Sequence, residues 1–137
     1  MTRNRIRHQL IPLLEQEFNP NIREVLNRMA RQAAEIEDVF ESLCGPLVDR
    51  ALVDVTSSVV RLDCTVLADQ PRHLVRECLV RIWERLDWPR QKMGFTEWDR
   101  LAELCVHDGD IVFPGAIHAS RRGCLLVLER QPRPRGA

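Results

Sequence analysis

Residues 22–43 read IREVLNRMARQAAEIEDVFESL, and their apolar side chains recur in alternating steps of four and three. This spacing places one apolar stripe along a helix and continues for about three heptads. We therefore predict a long helix with a seam formed by Ile22, Leu26, Met29, Ala33, Ile36, Phe40 and Leu43. Cys44-Gly45-Pro46 follows, and a glycine followed by proline is typical of a helix C-terminus, so the helix is predicted to stop there.

The seam has two interpretations. It packs against the rest of its own molecule, or it pairs with another helix, which would make the chain a dimerisation or protein-interaction module. About three heptads are marginal for an independent coiled coil, and this favours packing within the molecule. The alternative remains open and includes a homodimer formed through helix 22–43.

The residues before this helix carry a cluster of cations. Residues 3–16 predict a short helix that is interrupted at Asn19-Pro20, where Asn19 or Asn21 can cap the long helix. Arg3 and Arg7, four residues apart, share one helix face. Cations at a helix start oppose its macrodipole, so these arginines are expected to serve something other than helix stability, such as phosphate binding. Asn4 either holds a ligand or caps the helix.

The residues after Pro46 predict a mixture of short elements. Helices are expected over about 46–54, 63–69 and 71–86, and from a capping-box-like start at Thr96-Glu97-Trp98-Asp99 to near His107, with a turn at 108–110. Extended segments are expected at 58–62, 111–113, 116–120 and 124–128, the last two joined at Arg121-Arg122-Gly123. The fold class is therefore α+β and mostly helical: a long N-terminal helical arm, then a small helical domain that ends in a short antiparallel hairpin or sheet.

Composition places limits on function. The chain has 137 residues, 45% of them hydrophobic, and a net charge of zero, so bulk charge does not indicate nucleic-acid binding. Local charge is more informative, because residues 111–137 contain five arginines and one acidic residue. The five cysteines are scattered without a CxxC pair, which argues against a disulfide framework or a zinc site and predicts core thiols. No apolar run approaches the roughly 20 residues of a membrane span, so the expected location is the cytoplasm.

No catalytic constellation stands out. The glycines are isolated, so no glycine-rich loop is present to hold ATP phosphates, and no serine, cysteine, histidine or carboxylate grouping has the spacing of a nucleophile and its base. We therefore nominate no catalytic residue and no metal ligand. The four histidines have ordinary readings as surface or half-buried polar residues.

Two motifs carry a family resemblance. The opening residues Arg3, Asn4, Ile6, Arg7, Leu10, Pro12 and Leu13 fit a pattern R-N-x-I-R-x-x-L-x-P-x-L, and Phe18-Asn19-Pro20-Asn21 fits the motif that introduces a long helix. In both, the chain resembles the bacterial tRNA(Ile)-lysidine synthetases of the PP-loop ATPase superfamily, also labelled MesJ-type cell-cycle proteins. Residues 72–81 are similar to the family's arginine-rich helix, and 111–129 to its C-terminal hairpin.

The resemblance implies a division of the chain. Residues 1–18 would be the end of a catalytic domain, 19–45 a linker helix, 46–131 a substrate-recognition domain that binds tRNA, and 132–137 a disordered tail. The parent enzyme would be an ATP-dependent ligase that joins lysine to C2 of the wobble cytidine of tRNA(Ile), with ATP, magnesium and lysine bound at a catalytic domain that this chain lacks. The chain alone would bind no cofactor and be inactive.

Candidate binding residues fall into two groups. The first group is Arg3, Asn4 and Arg7, which resemble residues that close the family's active site. The second group is predicted to contact tRNA phosphates and consists of Arg72, Arg76, Arg90, Lys92, Arg121 and Arg122. For this second group, the other interpretation is that they are ordinary surface cations. Few aromatic residues and no tyrosine are present, so a stacking platform for single-stranded bases is not expected.

Overall fold

The computed structural model describes residues 1–132, which form two compact units, residues 1–39 and residues 40 onward. The predicted disordered tail at 132–137 lies outside the described residues except for Pro132. Among the described residues, no helix combines the length and the hydropathy that a membrane span needs.

The first unit is helical. It contains α1 (Thr2–Arg5), a π-helical segment (Ile6–Leu10), α2 (Ile11–Glu17) and the start of α3 (Ile22–Ala51). The predicted interruption is confirmed, because the Asn21 N–H donates to the Asn19 side chain at 2.9 Å immediately before α3. The apolar stripe of the first helix is largely exposed: Ile6, Leu10 and Leu13 are 43%, 46% and 49% accessible.

Helix α3 is longer than the sequence predicts. It continues through Gly45 and Pro46 to Ala51, so the predicted stop at 44–46 and the separate helix over 46–54 are both wrong. An internal proline costs about 3 kcal/mol. Burial of an aliphatic side chain contributes about 1.5–3 kcal/mol, and Leu47 and Val48 are buried directly after the proline. Tertiary packing therefore outweighs the local stop signal.

The seam of α3 changes character along its length. Leu26, Met29 and Ile36 are 40%, 57% and 55% exposed, whereas Leu47, which continues the same spacing, is buried. The favoured interpretation, a seam that packs against the rest of its own molecule, is therefore not met over residues 22–39. Helix and periodicity are as predicted, but Leu43 is still 48% exposed and the first buried residue of α3 is Cys44. Phe40 is partly buried, and its ring meets His73 edge-on at 4.8 Å.

The second unit combines a sheet with three further helices. Within the described residues, the strands β1 (Leu52–Val55), β2 (Val59–Asp63), β3 (Gly109–Phe113), β4 (Ile117–Arg122) and β5 (Leu125–Arg130) form one antiparallel sheet in the order β1-β2-β5-β4-β3. The helices are α4 (Cys64–Ala68), α5 (Arg72–Arg85) and α6 (Phe95–Glu103). The predicted α+β class, with a long helix before a small sheet, is confirmed.

Short-range sequence signals predict the positions of most of these helices and strands. The Asp63 carboxylate accepts the Thr65 N–H at 2.9 Å and caps α4, which lies where a helical turn was predicted. The capping box of α6 is displaced from its predicted place: the Gly94 N–H donates to the Glu97 carboxylate at 2.9 Å, and the helix ends at Glu103 instead of near His107. Residues 109 and 110, predicted as a turn, belong to β3.

The core lies on one face of the sheet. Alternate residues of β2 and β5 are buried, with Val60 opposite Leu128 and Leu62 opposite Leu126. Trp83 of α5 is fully buried and meets the edges of Trp88 and Trp98 at 5.1 and 5.3 Å. The inward faces of the hairpins are therefore covered by the core. Their ends and turns remain accessible to a ligand.

Candidate nucleic-acid interface

Two of the predicted tRNA-binding arginines join helices. Arg72 Nε lies 3.0 Å from Asp99 Oδ1 of α6, and Arg72 also pairs with Glu103. Arg76 Nη1 lies 2.9 Å from the same Asp99 oxygen, and its guanidinium stands 4.9 Å from the centre of the Phe95 ring. The carboxylates therefore partly neutralise Arg72 and Arg76. The resulting ion pairs connect α5 to α6.

These ion pairs shift the titration of their members. The hydrogen bond from Arg72 lowers the pKa of Asp99, and the hydrogen bonds to Glu103 and Asp99 raise the pKa of Arg72. Both shifts favour the charged forms. A phosphate that approached Arg72 would have to compete with two carboxylates already in place.

Arg90 and Lys92 lie in the loop between α5 and α6. Arg90 pairs with Glu84. Among the described residues, Lys92 has no carboxylate within 4 Å, and its side chain is exposed. The loop is held against the β3–β4 turn, since a Cβ atom on Gly115 would lie 2.5 Å from Pro89 Cγ. Within residues 1–132, Lys92 is thus a cation without a carboxylate partner, on a loop that contacts the β3–β4 turn through Pro89.

Arg121 and Arg122 lie at the other end of β4. Arg121 Nε donates to the Gly123 carbonyl at 3.0 Å and is 3.8 Å from Asp108, whereas Arg122 is exposed and has no ion pair in the described part of the chain. Strand β4 begins at Ile117, beside the β3–β4 turn, and five steps of about 3.3 Å separate its ends by roughly 17 Å. The second predicted group therefore does not form one patch. Arg121 and Arg122 lie at one end of β4, and the loop with Arg90 and Lys92 lies beside the turn at the other end.

The first predicted group lies in the other unit. Arg3, Asn4 and Arg7 are all exposed, and residues 1–132 contain no carboxylate paired with either arginine. Asn4 lies inside α1, whose N-cap is Met1, so the capping role considered for Asn4 is wrong. Arg7 belongs to the π-helical segment, a geometry that often marks functional sites.

Sequence reasoning overlooked Arg130. This arginine ends β5 and lines a cavity of about 630 Å³ together with Lys92. No carboxylate of the described residues pairs with it. Its signal in the sequence was weak, because it was one of several arginines near the C-terminus and only the strand pairing brings it beside residues 89–92.

The cysteines behave as core thiols with one exception. Cys44, Cys64, Cys78 and Cys105 are buried, and Cys124 is exposed. Burial raises the pKa of Cys78 to about 12, which disfavours its nucleophilic thiolate. No group of three His, Cys, Asp or Glu side chains within residues 1–132 is arranged to hold a metal ion.

The solvent face of the sheet has mixed charge. Asp54 pairs with Arg61 at 2.9 Å across β1 and β2, and Asp110 lies 2.8 Å from His118 across β3 and β4. Glu129 lies opposite His118 in the strand register. The paired charges named above give this face no excess of positive charge. The candidate phosphate contacts are therefore the exposed cations near the two ends of β4.

Fold and surface together define a small α+β domain with separate cationic positions, preceded by a helical segment. No family model matches the chain. The chain is 26% identical, over 134 residues, to a tRNA(Ile)-lysidine synthase of Rhodopirellula baltica; the match covers 80% of this chain and 33% of that protein. The chain therefore matches about a third of this curated relative, and the similarity supports a relationship to part of a tRNA-modifying synthase.

Proposed function

We propose that this chain is the non-catalytic tRNA-recognition portion of a cytoplasmic tRNA(Ile)-lysidine synthetase. The observation that carries the proposal is the similarity to the Rhodopirellula baltica synthase. The arginine-rich opening motif and the unpaired cations of the second unit support it. Residues 1–18 would complete the catalytic domain, with Arg3, Asn4 and Arg7 near its active site, and residues 46–131 would grip the tRNA.

The structure refines which cations are available for phosphate. Lys92, Arg122 and Arg130 have no carboxylate partner in the described residues, whereas Arg72, Arg76 and Arg90 do. Free cations release bound counterions from a polynucleotide at little cost to the protein's own structure. We therefore assign tRNA affinity mainly to the free cations, and helix positioning mainly to Arg72 and Arg76.

A tRNA titration tests this proposal. Binding of tRNA(Ile) should be saturable at low salt and should weaken steeply at moderate salt, with an unrelated tRNA as competitor. Reversal of charge at Lys92 and Arg122 to glutamate should weaken binding without loss of the circular dichroism spectrum. Binding that ignores both the salt and these substitutions would contradict the proposal.

Catalysis would belong to the rest of the parent enzyme. There, ATP with magnesium would activate C2 of the wobble cytidine, and lysine would displace AMP to form lysidine. We expect the 137-residue chain to form no AMP from ATP in the presence of tRNA(Ile) and lysine. Measurable AMP production by purified chain would overturn the assignment as a non-catalytic portion.

A second candidate function is dimerisation through helix 22–43. The observation in its favour is the exposure of Leu26, Met29 and Ile36 along one side of α3. Sedimentation at increasing protein concentration tests it. A concentration-dependent dimer that Leu26→Asp with Ile36→Asp converts to a folded monomer would support this function, and a monomer at all concentrations would exclude it.

A further inference from the structure

The cavity beside the β3–β4 turn combines charged, polar and apolar walls. Its volume is about 630 Å³, within the range of small-molecule sites. Lys92 and Arg130 contribute positive charge, and Ser58, Gln91 and Gln131 contribute a hydroxyl and two amides. The rings of Pro89, Pro114 and Pro132 supply the apolar surface.

The walls are preformed by backbone hydrogen bonds. The Arg130 N–H donates to the Ser58 carbonyl at 2.8 Å, and the Gln131 N–H donates to the Ala116 carbonyl at 2.9 Å. Ala116 has a φ of +58°, an unfavourable conformation for a residue with a side chain, which the neighbouring pairing maintains. A ligand would therefore meet a rigid site and need little reorganisation of the protein.

The charges of the cavity select a class of ligand. Lys92 and Arg130 carry two positive charges, and Glu129 carries one negative charge, so the described ionisable side chains in the lining sum to +1. One phosphodiester carries the opposite charge. The Glu129 carboxylate can only accept hydrogen bonds, which suits ribose hydroxyls or an exocyclic amine. The amides of Gln91 and Gln131 offer both donors and acceptors to a base edge.

We propose that this cavity holds one ribonucleotide of an RNA strand, with its phosphodiester on Lys92 and Arg130 and its ribose toward Glu129. This inference rests on the proposed function, tRNA recognition, and names one cavity as a site of contact with the RNA. The nucleotide must be unpaired, because a base within a duplex cannot enter a pocket. The proline rings provide the apolar contact that an aromatic platform provides elsewhere.

The test uses the 137-residue chain and single-stranded ribohexanucleotides, one for each base. Titration should shift the amide resonances of Ser58, Gly115, Ala116 and Gln131 in a two-dimensional NMR spectrum. Hexadeoxynucleotides should bind more weakly, because they lack the 2′-hydroxyl. Inorganic phosphate alone should shift the same amides only at much higher concentration. Shifts confined to other parts of the chain would overturn the inference.

Variants that remove positive charge inside and outside the cavity give the second readout. Lys92→Gln with Arg130→Gln should weaken hexanucleotide binding about tenfold or more, because charge-assisted contacts are lost. The slope of log affinity against log salt should fall by about 0.7 for the one phosphate lost. The control is Arg50→Gln, another exposed arginine; it lies next to β1, whose Leu52 pairs with Leu62 at the far end of β2 from Ser58. An equal effect of Arg50→Gln would overturn the inference.

Failure of this inference can be separated from failure of the proposed function. If tRNA(Ile) binds the Lys92, Arg130 double variant as tightly as the parent chain, the cavity assignment is wrong and so is the assignment of tRNA affinity to these two cations, whereas the wider proposal of tRNA recognition stands. If hexanucleotides bind the cavity but tRNA(Ile) does not bind the chain, the proposed function is wrong and the nucleotide site stands. If no RNA binds, both are wrong.

Discussion

Residues 1–39 and the described residues from 40 onward share one helix, α3, but differ greatly in burial. In residues 1–39, all of which the structure describes, no side chain is buried. In residues 40–132, by contrast, α3, α5, α6 and the sheet enclose a continuous core that includes Trp83, Leu79 and Leu128. The comparison shows that a heptad pattern predicts a helix and its apolar side, but not the surface that covers that side.

The difference also bears on stability. Helices in proteins obtain most of their stability from tertiary packing of an apolar face, and nucleation makes short isolated helices marginal. We therefore expect unfolding of the second unit to depend on its core, and substitutions along the exposed seam to have small effects on it. Four substitution experiments test this contrast.

Removal of the central tryptophan should have the largest effect. Trp83 is fully buried between the edges of Trp88 and Trp98, so Trp83→Ala removes a large apolar contact and leaves a cavity. We expect a loss of about 3–5 kcal/mol in the free energy of unfolding, measured by urea titration followed by circular dichroism. Val112→Ala, at a residue that is 70% exposed, is the control and should change it by less than about 0.5 kcal/mol. Similar losses for both would contradict the assigned core.

Two glycines allow a matched test of the β3–β4 turn. Gly115 and Gly123 have φ values of +90° and +64°, but a Cβ atom would meet Pro89 at Gly115 and nothing within 4 Å at Gly123. Gly123→Ala should cost about 1 kcal/mol for the left-handed conformation, and Gly115→Ala about 1–2 kcal/mol more because Pro89 must also move. Urea unfolding of the two variants measures the difference. Equal losses would mean that the turn does not press against Pro89.

Acid unfolding should report on Asp99. Its pKa is lowered below the ordinary 3.8, so the unfolded state binds more protons in acid than the folded state does. The stability that Asp99 contributes is therefore complete above that value and is lost as the pH falls through the lower folded pKa. Asp99→Asn should reduce stability at neutral pH and flatten its decline in acid. A full decline in Asp99→Asn would contradict this role.

The exposed seam should give the smallest effect. Leu26→Asp with Ile36→Asp replaces side chains that are 40% and 55% exposed, so the second unit should keep its thermal unfolding midpoint within a few degrees. Differential scanning calorimetry measures that midpoint. A large decrease in a chain that sediments as a monomer would mean that the seam belongs to the core of the domain, as the sequence interpretation favours.

Local sequence signals predicted many elements correctly. Asn19-Pro20, Asp63 and Pro71 mark helix starts through hydrogen bonds or a fixed φ that involve only neighbouring residues. The extended segments predicted at 116–120 and 124–128 likewise correspond to β4 and β5. The predicted stop of α3 was wrong because a distant core stabilises the helix beyond Pro46, and β1 was missed because its pairing with β2 decides its conformation.

The candidate site was harder to predict from the sequence than the fold, because it depends on residues that are distant in the chain. The sequence identified Lys92 and Arg122 as cations but did not show that Arg72 and Arg76 are paired with Asp99, since those partners are 27 and 23 residues away. Strand register brought Arg130 beside Lys92 and placed Arg122 at the opposite end of β4.

The sequence by itself determined the presence of most helices, though not all of their ends, together with the α+β class and the resemblance to a tRNA-modifying synthase, because short-range periodicity and contiguous motifs carry that information. Only the tertiary structure decided which cations lack a carboxylate partner within residues 1–132, and that Lys92 and Arg130 line one cavity. The electrostatic environment of a side chain depends on groups within a few ångströms in space, and long-range packing brings those groups together.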